Sequence, residues 1–248
     1  MKSKLPFVII ILGLLVTIVG AMYVLRSSRE TAGTQTANAG NAGRAVSSSS
    51  STSSTTSPAP SSSTPTGTPA PGAEPAHVRG DESAPVLIEE YGDFQCPPCG
   101  ALYPVMKKVE GEMGTRVKVI FRNYPLMKIH KNALDAARAA EAAGLQGKFW
   151  EMHDMLYEKQ GEWSVMPDAR PVFEEFARTL KLDVDRFRAD LDGLPVNSRI
   201  RSDITRADSI GVKGTPTVFI NGKELEPADM TVEGVRKAVS DAAPKGKS

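Results

Sequence analysis

The chain has 248 residues, with 30 Lys and Arg against 29 Asp and Glu and a formal net charge of +1. That balance, with no basic cluster interleaved with aromatic residues, points away from nucleic acid as a partner. Only 2 cysteines occur, which excludes a scaffold stapled by several disulfides, and no GxGxxG, P-loop or HExxH pattern is present to hold a nucleotide or a catalytic zinc.

In chain order, the first element is the uncharged run from Leu5 to Leu25. As a helix rising about 1.5 Å per residue it spans the roughly 30 Å hydrocarbon layer, so residues 1–26 are expected to be a membrane anchor. A cleaved signal peptide is the alternative, because Val19-Gly20-Ala21 offers small residues for cleavage. The run is longer than an ordinary h-region, however, and Tyr23 suits an interface. Either reading exports the remainder, anchored in the first case and secreted in the second. The flanking charges, Lys2 and Lys4 against Arg26 and Arg29, bias the orientation weakly and leave a cytoplasmic domain open. Residues 27–80 are dominated by Ser, Thr, Ala, Gly and Pro, including an unbroken Ser/Thr run from Ser47 to Ser57. With almost no large apolar side chains this stretch cannot offset the entropy of ordering, so a disordered tether is expected. Residues 81–248 suffice for one globular domain with its own core.

Within that domain, Val86 to Tyr91 is a short apolar run bounded by Pro85 and Gly92 and reads as a buried strand. Cys96-Pro97-Pro98-Cys99 follows, and Leu102, Val105, Met106 and Val109 then recur at helical spacing. Cys96 therefore sits at a helix N-terminus, where prolines are tolerated because first-turn amides have no intrahelical acceptor to lose. A second strand spans residues 117–122. Helices are predicted over 131–143 with Gly144 just past the end, 149–159, 169–181 capped by Asp168, 184–192 capped by Asp183, and 196–210. Residues 216–220, the turn Asn221-Gly222 and residues 223–226 read as a hairpin, and 232–242 as an amphipathic helix. The order is β-α-β, a helical insert over about residues 129–210, then β-β-α.

A disulfide between Cys96 and Cys99 would close a single turn and add little stability, which makes redox or metal chemistry the reason for the pair. Exchange needs a thiolate, and a free cysteine of pKa about 8.5 is mostly protonated at neutral pH. Unpaired N–H groups and the positive end of the helix dipole favour the anion at Cys96, the expected nucleophile. Cys99, one turn on and on the same face, is placed to resolve a mixed disulfide.

Three segments together resemble the DsbA-like branch of the thioredoxin superfamily, in particular its membrane-tethered thiol-disulfide oxidoreductases outside the bacterial cytoplasm. They are Glu90-Tyr91-Gly92-Asp93-Phe94-Gln95-Cys96-Pro97-Pro98-Cys99, Phe121-Arg122-Asn123-Tyr124-Pro125-Leu126 and Gly214-Thr215-Pro216-Thr217. The resemblance covers most of residues 86–242 and implies a thioredoxin-like α/β sheet with an inserted helical subdomain. It implies that Glu90 is a buried acid relaying a proton to or from Cys99; Glu89 is the alternative, because strand alternation turns only one of them inward. It also implies a cis Thr215–Pro216 peptide facing the cysteine pair, with the backbone before Pro216 binding an extended substrate chain. From the residues alone, Pro216 merely starts a strand. Compared with Cys-Pro-His-Cys members, Pro97 and Pro98 supply no N–H and no imidazole. The thiolate should be less stabilised, and the potential should fall between those of DsbA and thioredoxin, about −120 and −270 mV.

The implied function is an extracytoplasmic enzyme exchanging disulfides with cysteine-containing exported proteins. Its redox group is the Cys96–Cys99 disulfide, with no other cofactor and no metal, and a membrane redox partner recycles it. Thr215 leaves the direction open between oxidase, reductase and isomerase. The competing class is a copper-handling protein with a soft ion on the two thiolates, which alone half fill a zinc site. Other residues keep structural readings. His77 belongs to the tether, His130 caps or packs a helix, His153 lies within one, and Trp150 and Trp163 are core or insert aromatics. Arg199, Arg201, Asp203, Arg206 and Asp208 read as a solvated helix face. Met106, Met113, Met127, Met152 and Met155 read as core filling, with a peptide groove as the alternative.

Overall fold

The computed structural model describes residues 68–244. The expected anchor and most of the expected tether lie outside the described residues. Strand β2 (Val86–Gly92) is central. It runs parallel to β3 (Val117–Asn123), with Glu90 opposite Phe121, and antiparallel to β4 (Thr217–Ile220), with Glu90 opposite Val218. Strand β1 (Val78–Gly80) pairs with β3, and β5 (Lys223–Glu224) with β4, so the sheet order is β1-β3-β2-β4-β5.

Both faces of the sheet are covered, which explains why β2 reads as a continuous apolar run and not as an alternating one. On one face Val86, Ile88, Val119, Val218 and Ile220 pack with Leu102, Met106 and Val109 of α1 (Pro97–Met113) and with Val235 and Val239 of α8 (Val232–Ala242). On the other face Tyr91 and Phe219 meet Ala207 of α7 (Leu194–Ser209). The insert is helical: α2 (Ala133–Gly144), α3 (Phe149–Glu158), α4 (Gln160–Trp163), α5 (Arg170–Thr179) and α6 (Val184–Leu191) precede α7. Its core of Phe149, Met152, Leu156, Trp163, Phe173 and Phe187 is continuous with Phe94, Cys96 and Cys99. Each fully buried side chain of this size contributes about 1.5–3 kcal/mol, so the insert and the cysteine loop are stabilised by the same packing.

Several boundaries differ from the expected ones. The ordered domain begins before residue 81, because β1 belongs to the sheet and Ala73 is buried. Composition misses this segment because charge and backbone hold it in place of apolar side chains. Ala73 N–H donates to Asp203 Oδ1 at 2.9 Å, and Arg122 Nη1 donates to the Ala73 carbonyl at 2.7 Å. His77, expected in the tether, stacks on Phe149 at 3.7 Å between ring centroids and lies 2.9 Å from Glu141 Oε2. Gly144 is inside α2, and the left-handed φ falls on Gly147 at 74°. What Gly144 supplies is room, since a Cβ there would come within 2.9 Å of the His77 ring. Asp183 caps α6 as expected, accepting from Arg186 N at 3.0 Å.

Candidate active site

Beyond Gly92 the chain leaves the sheet through Asp93-Phe94-Gln95 and enters α1 at Cys96, which is the N-cap in extended conformation (φ −69°, ψ 120°), with Pro97 and Pro98 in the first turn. Asp93 organises this corner. Its carbonyl accepts from Cys96 N at 3.0 Å, Oδ1 accepts from Gln95 N at 2.8 Å, and Oδ2 accepts from Leu126 N at 3.0 Å and meets His130 Nδ1 at 2.6 Å. The insert grips the same loop from its other side. Gln160 Nε2 donates to the carbonyls of Phe94 and Cys96 at 2.8 and 2.9 Å, and Gln95 Nε2 donates to Ser164 O at 2.7 Å.

Cys96 and Cys99 are both free thiols in this structure, 4% and 0% exposed. Cys96 Sγ donates to the Thr215 carbonyl at 3.4 Å, which sets the entry to β4 against the cysteine pair, and the Thr215–Pro216 peptide is cis. The two thiols are pushed in opposite directions. A hydrogen bond from the Cys99 thiol, with further help from the Thr215 side chain and the Cys99 amide, lowers the Cys96 pKa to about 6 against burial and the Asp93 charge. Burial first, and the donated hydrogen bond and charge of Cys96 next, hold Cys99 far above the ordinary thiol range. The arrangement thus favours the thiolate at Cys96 and the protonated thiol at Cys99.

Glu89 and Glu90 are both buried, at 5% and 4% exposure, on opposite faces of the covered sheet. The expectation that only one turns inward fails because α7 covers the second face. Glu89 is a structural ion: Arg206 Nε and Arg122 Nε donate to Oε1 at 2.7 and 3.0 Å. Burial works to raise its pKa, and these hydrogen bonds and charges outweigh burial and lower it. Glu90 lies on the α1 face with no side-chain hydrogen bond among the described residues. Burial, reinforced by the Glu110 charge and opposed by Arg79, raises its pKa to about 8.

Of the expected solvated face of α7, Arg201 and Asp208 are exposed, whereas Arg199, Asp203 and Arg206 turn toward buried partners. Asp203 is 2% exposed and meets Arg122 Nη1 at 3.1 Å, while Arg206 and Arg199 reach the buried Glu89 and Glu141. Their sequence signal is the charge within otherwise apolar strands, Glu89 and Arg122, which needs partners from whatever packs above. His130, expected to cap or pack, bonds Asp93 three residues from Cys96. Gln160 had no signal, because α4 is too short to show a period. Met106, Met113 and Met152 are core; Met127 is 56% exposed. Among the described residues no group of three or more His, Cys, Asp and Glu is arranged to hold a metal ion, and no helix is long and apolar enough to cross a membrane.

The sequence profile of a family described as thioredoxin matches residues 73–241. The chain belongs to the thioredoxin family. Part of the Na(+)/H(+) antiporter NhaA 1 of Salinispora arenicola is 42% identical over 167 residues, covering 67% of this chain and 24% of that protein. The chain thus spans about a quarter of the length of such curated relatives. Among solved structures, BdbD from Bacillus subtilis in its oxidised form has a TM-score of 0.60 at 23% identity, covering 67% of this chain and 92% of that one. MdbA of Corynebacterium diphtheriae, a thiol-disulfide oxidoreductase, has a TM-score of 0.54 at 21% identity, covering 68% and 89%. These likenesses establish the thioredoxin-like α/β fold with its helical insert.

Proposed function

We propose that this domain is a thiol-disulfide oxidoreductase acting outside the cytoplasm on cysteine-containing proteins, with Cys96 as nucleophile and Cys99 as resolving thiol. The observation that carries the reading is the placement of the two sulfurs: Cys96 caps α1 beside the Thr215 carbonyl, and Cys99 is fully buried behind it. In the oxidising direction a substrate thiolate attacks Cys96 Sγ of the disulfide. The Sγ–Sγ bond breaks, and Cys99 leaves with the electron pair and takes a proton from the Glu90 carboxyl. A second substrate thiolate then attacks the substrate sulfur of the mixed disulfide. Cys96 departs as a thiolate, the substrate is oxidised by two electrons and the enzyme is left as the dithiol. Reduction runs the same steps in reverse; in isomerisation the Cys96 thiolate attacks a substrate disulfide and a different substrate thiolate then displaces it, with no net change in oxidation state. The backbone at Thr215 and Pro216 would hold the substrate chain in extended form beside Cys96, and Pro97 and Pro98 would tune the potential by withholding N–H donors. A membrane redox partner would recycle the pair. The apolar run at residues 5–25 and the antiporter name of the relatives support a membrane-proximal setting.

Trapping tests the reading. Cys99→Ser, incubated with a reduced protein substrate under mild oxidation, should accumulate a mixed disulfide at Cys96; Cys96→Ser should not, and the wild type should catalyse insulin reduction or oxidation of a reduced substrate. A wild type inactive in both assays that binds Cu(I) tightly would replace this reading with the copper-handling one.

A further inference from the structure

Each exchange moves one proton between Cys99 and Glu90, which are 0% and 4% exposed. A substrate joined to Cys96 covers the N-terminal end of α1, so Glu90 needs another way to equilibrate with solvent. Beside Glu90 lies a cavity of about 10 Å³, also walled by His153 and Tyr157, which is room for about one water. Tyr157 Oη and Trp150 Nε1 are buried on its wall with no hydrogen-bond partner among the described residues. Five of its wall residues, Arg79, Lys107, Glu110, Val119 and Trp150, also line an open surface groove of about 770 Å³ between β1, α1 and α3. Cavity and groove therefore share a wall, and that wall is charged.

Glu110 and Arg79 stand at the junction. They are 3.4 Å apart, with side chains 18% and 21% exposed, and Arg79 also holds Asp154 Oδ1 at 2.6 Å while its guanidinium sits 4.1 Å over the Trp150 ring. Glu110 lies fourteen residues beyond Cys96, about 21 Å along α1, clear of any chain docked at the cysteine. The groups around Glu90 are Arg79 from β1, Cys99, Tyr103, Lys107 and Glu110 from α1, and His153 and Tyr157 from α3, with Asp154 one step out in the groove; β3 and β4 present apolar Val119, Phe121 and Val218. His153 is held neutral near pH 7, because burial lowers its pKa to about 4 despite Asp154. It cannot serve as the exchanging acid.

We propose that the Arg79–Glu110 pair is the solvent-side outlet for Glu90, so that protons for Cys99 enter and leave through the β1–α1–α3 groove and not past Cys96. This rests on the role of Glu90 proposed above. When Cys99 departs as a thiolate it takes the Glu90 proton, and the Glu90 carboxylate is reprotonated from solvent by way of Glu110. Arg79 sets the charge seen by both carboxyls, and Glu110 acts on Cys99 only through Glu90.

The test is the rate at which dithiothreitol reduces the Cys96–Cys99 disulfide, measured from pH 5 to 10 on the whole chain. Glu90→Gln should abolish the inflection that Glu90 imposes. Glu110→Gln should move that inflection down and Arg79→Met should move it up, by roughly 1 pH unit each, the low end for one neighbouring charge. Glu110→Asp should leave it near the wild-type position. At pH 7 under steady-state turnover, dithiothreitol reducing insulin through the enzyme, each cycle must reload Glu90, and Glu110→Gln should slow that turnover on the order of tenfold, short of the ~100-fold cost of losing a general acid outright. Added imidazole should restore the Glu110→Gln rate and leave Glu90→Gln unaffected. If Glu90→Gln abolishes the inflection while both outlet variants leave it in place, or move it the same way, the outlet is wrong and Glu90 stands. If Glu90→Gln leaves the inflection intact, the relay itself is wrong. Should Arg79→Met fail to fold, the pairing of Glu110→Gln with Glu110→Asp and the imidazole rescue decide the matter.

Discussion

Replacing Glu90 by Gln should make the protein more stable, and by an amount that depends on pH. Glu90 is buried and its pKa is raised from 4.5 to about 8, chiefly by burial. A carboxyl whose folded pKa lies above its unfolded value binds its proton more tightly in the native state. The native state therefore loses stability as pH rises from about 4.5 to about 8, and the loss is complete above that window. The shift of 8 minus 4.5, about 3.5 units at ~1.36 kcal/mol each, amounts to about 5 kcal/mol above the window. At pH 7, where the folded group is still mostly protonated and the unfolded one is not, about 3 kcal/mol is already lost. Gln has the shape of the neutral acid and no proton to lose, so Glu90→Gln avoids the loss. Urea unfolding of the reduced protein at pH 4, 7 and 9 would measure it. The difference between variant and wild type cancels the titrating groups that do not interact with Glu90. It should be near zero at pH 4 and grow to about 3 and then about 5 kcal/mol in favour of the variant. A difference that is flat with pH, or a variant less stable at pH 9, would refute the account of Glu90 as an isolated acid held neutral by burial.

Absorbance at 240 nm on the reduced protein should show a thiolate forming with a midpoint near 6, the Cys96 value; a midpoint near 9 would remove the basis for Cys96 as nucleophile. Pro98→His should lower that midpoint and raise the reduction potential by tens of mV, since about 30 mV corresponds to about 1.4 kcal/mol; equilibration with glutathione gives the value, and an unchanged potential would show that the dipeptide does not tune the pair. Glu89→Ala leaves Arg122 and Arg206 without their buried carboxylate and should cost about 3–5 kcal/mol in urea unfolding, far more than any surface pair in the chain. Gln160→Ala removes the donor to the Phe94 carbonyl and leaves the Cys96 carbonyl with Gly100 N alone. It should cost about 1–3 kcal/mol and slow exchange, which insulin turbidity would report.

The elements with long, clear periods were legible from sequence: β2, α1, β3, α3, α8 and the position of Cys96 at a strand-helix junction follow from apolar spacing and two prolines. What escaped was held by polar groups. The segment before residue 81 is secured by Arg122, Arg206 and Asp203 and not by apolar side chains, so composition places it in the tether. The inward charges of α7 look like an exposed face until α7 is known to lie over Glu89. Gln160 sits on a single helical turn, where no periodicity can accumulate. At the site, the cysteines are legible as chemistry, whereas Glu110 and Arg79 become relevant only when β1 and α1 are brought against one cavity.

The pairing of β1 with β3 has a practical consequence for where this protein can be cut. A shortened chain begun at Asp81, the boundary that composition suggests, would lack Arg79 and the hydrogen-bonding backbone at Ala73. Asp203 and Arg122 would each lose a partner, and Glu90 would lose the Arg79 charge that opposes its raised pKa. Such a truncation could still fold around the α1 and α8 faces and still carry both cysteines. It would nonetheless be a different redox reagent, with Glu90 protonated to a higher pH, so measurements on it would describe the cut as much as the enzyme.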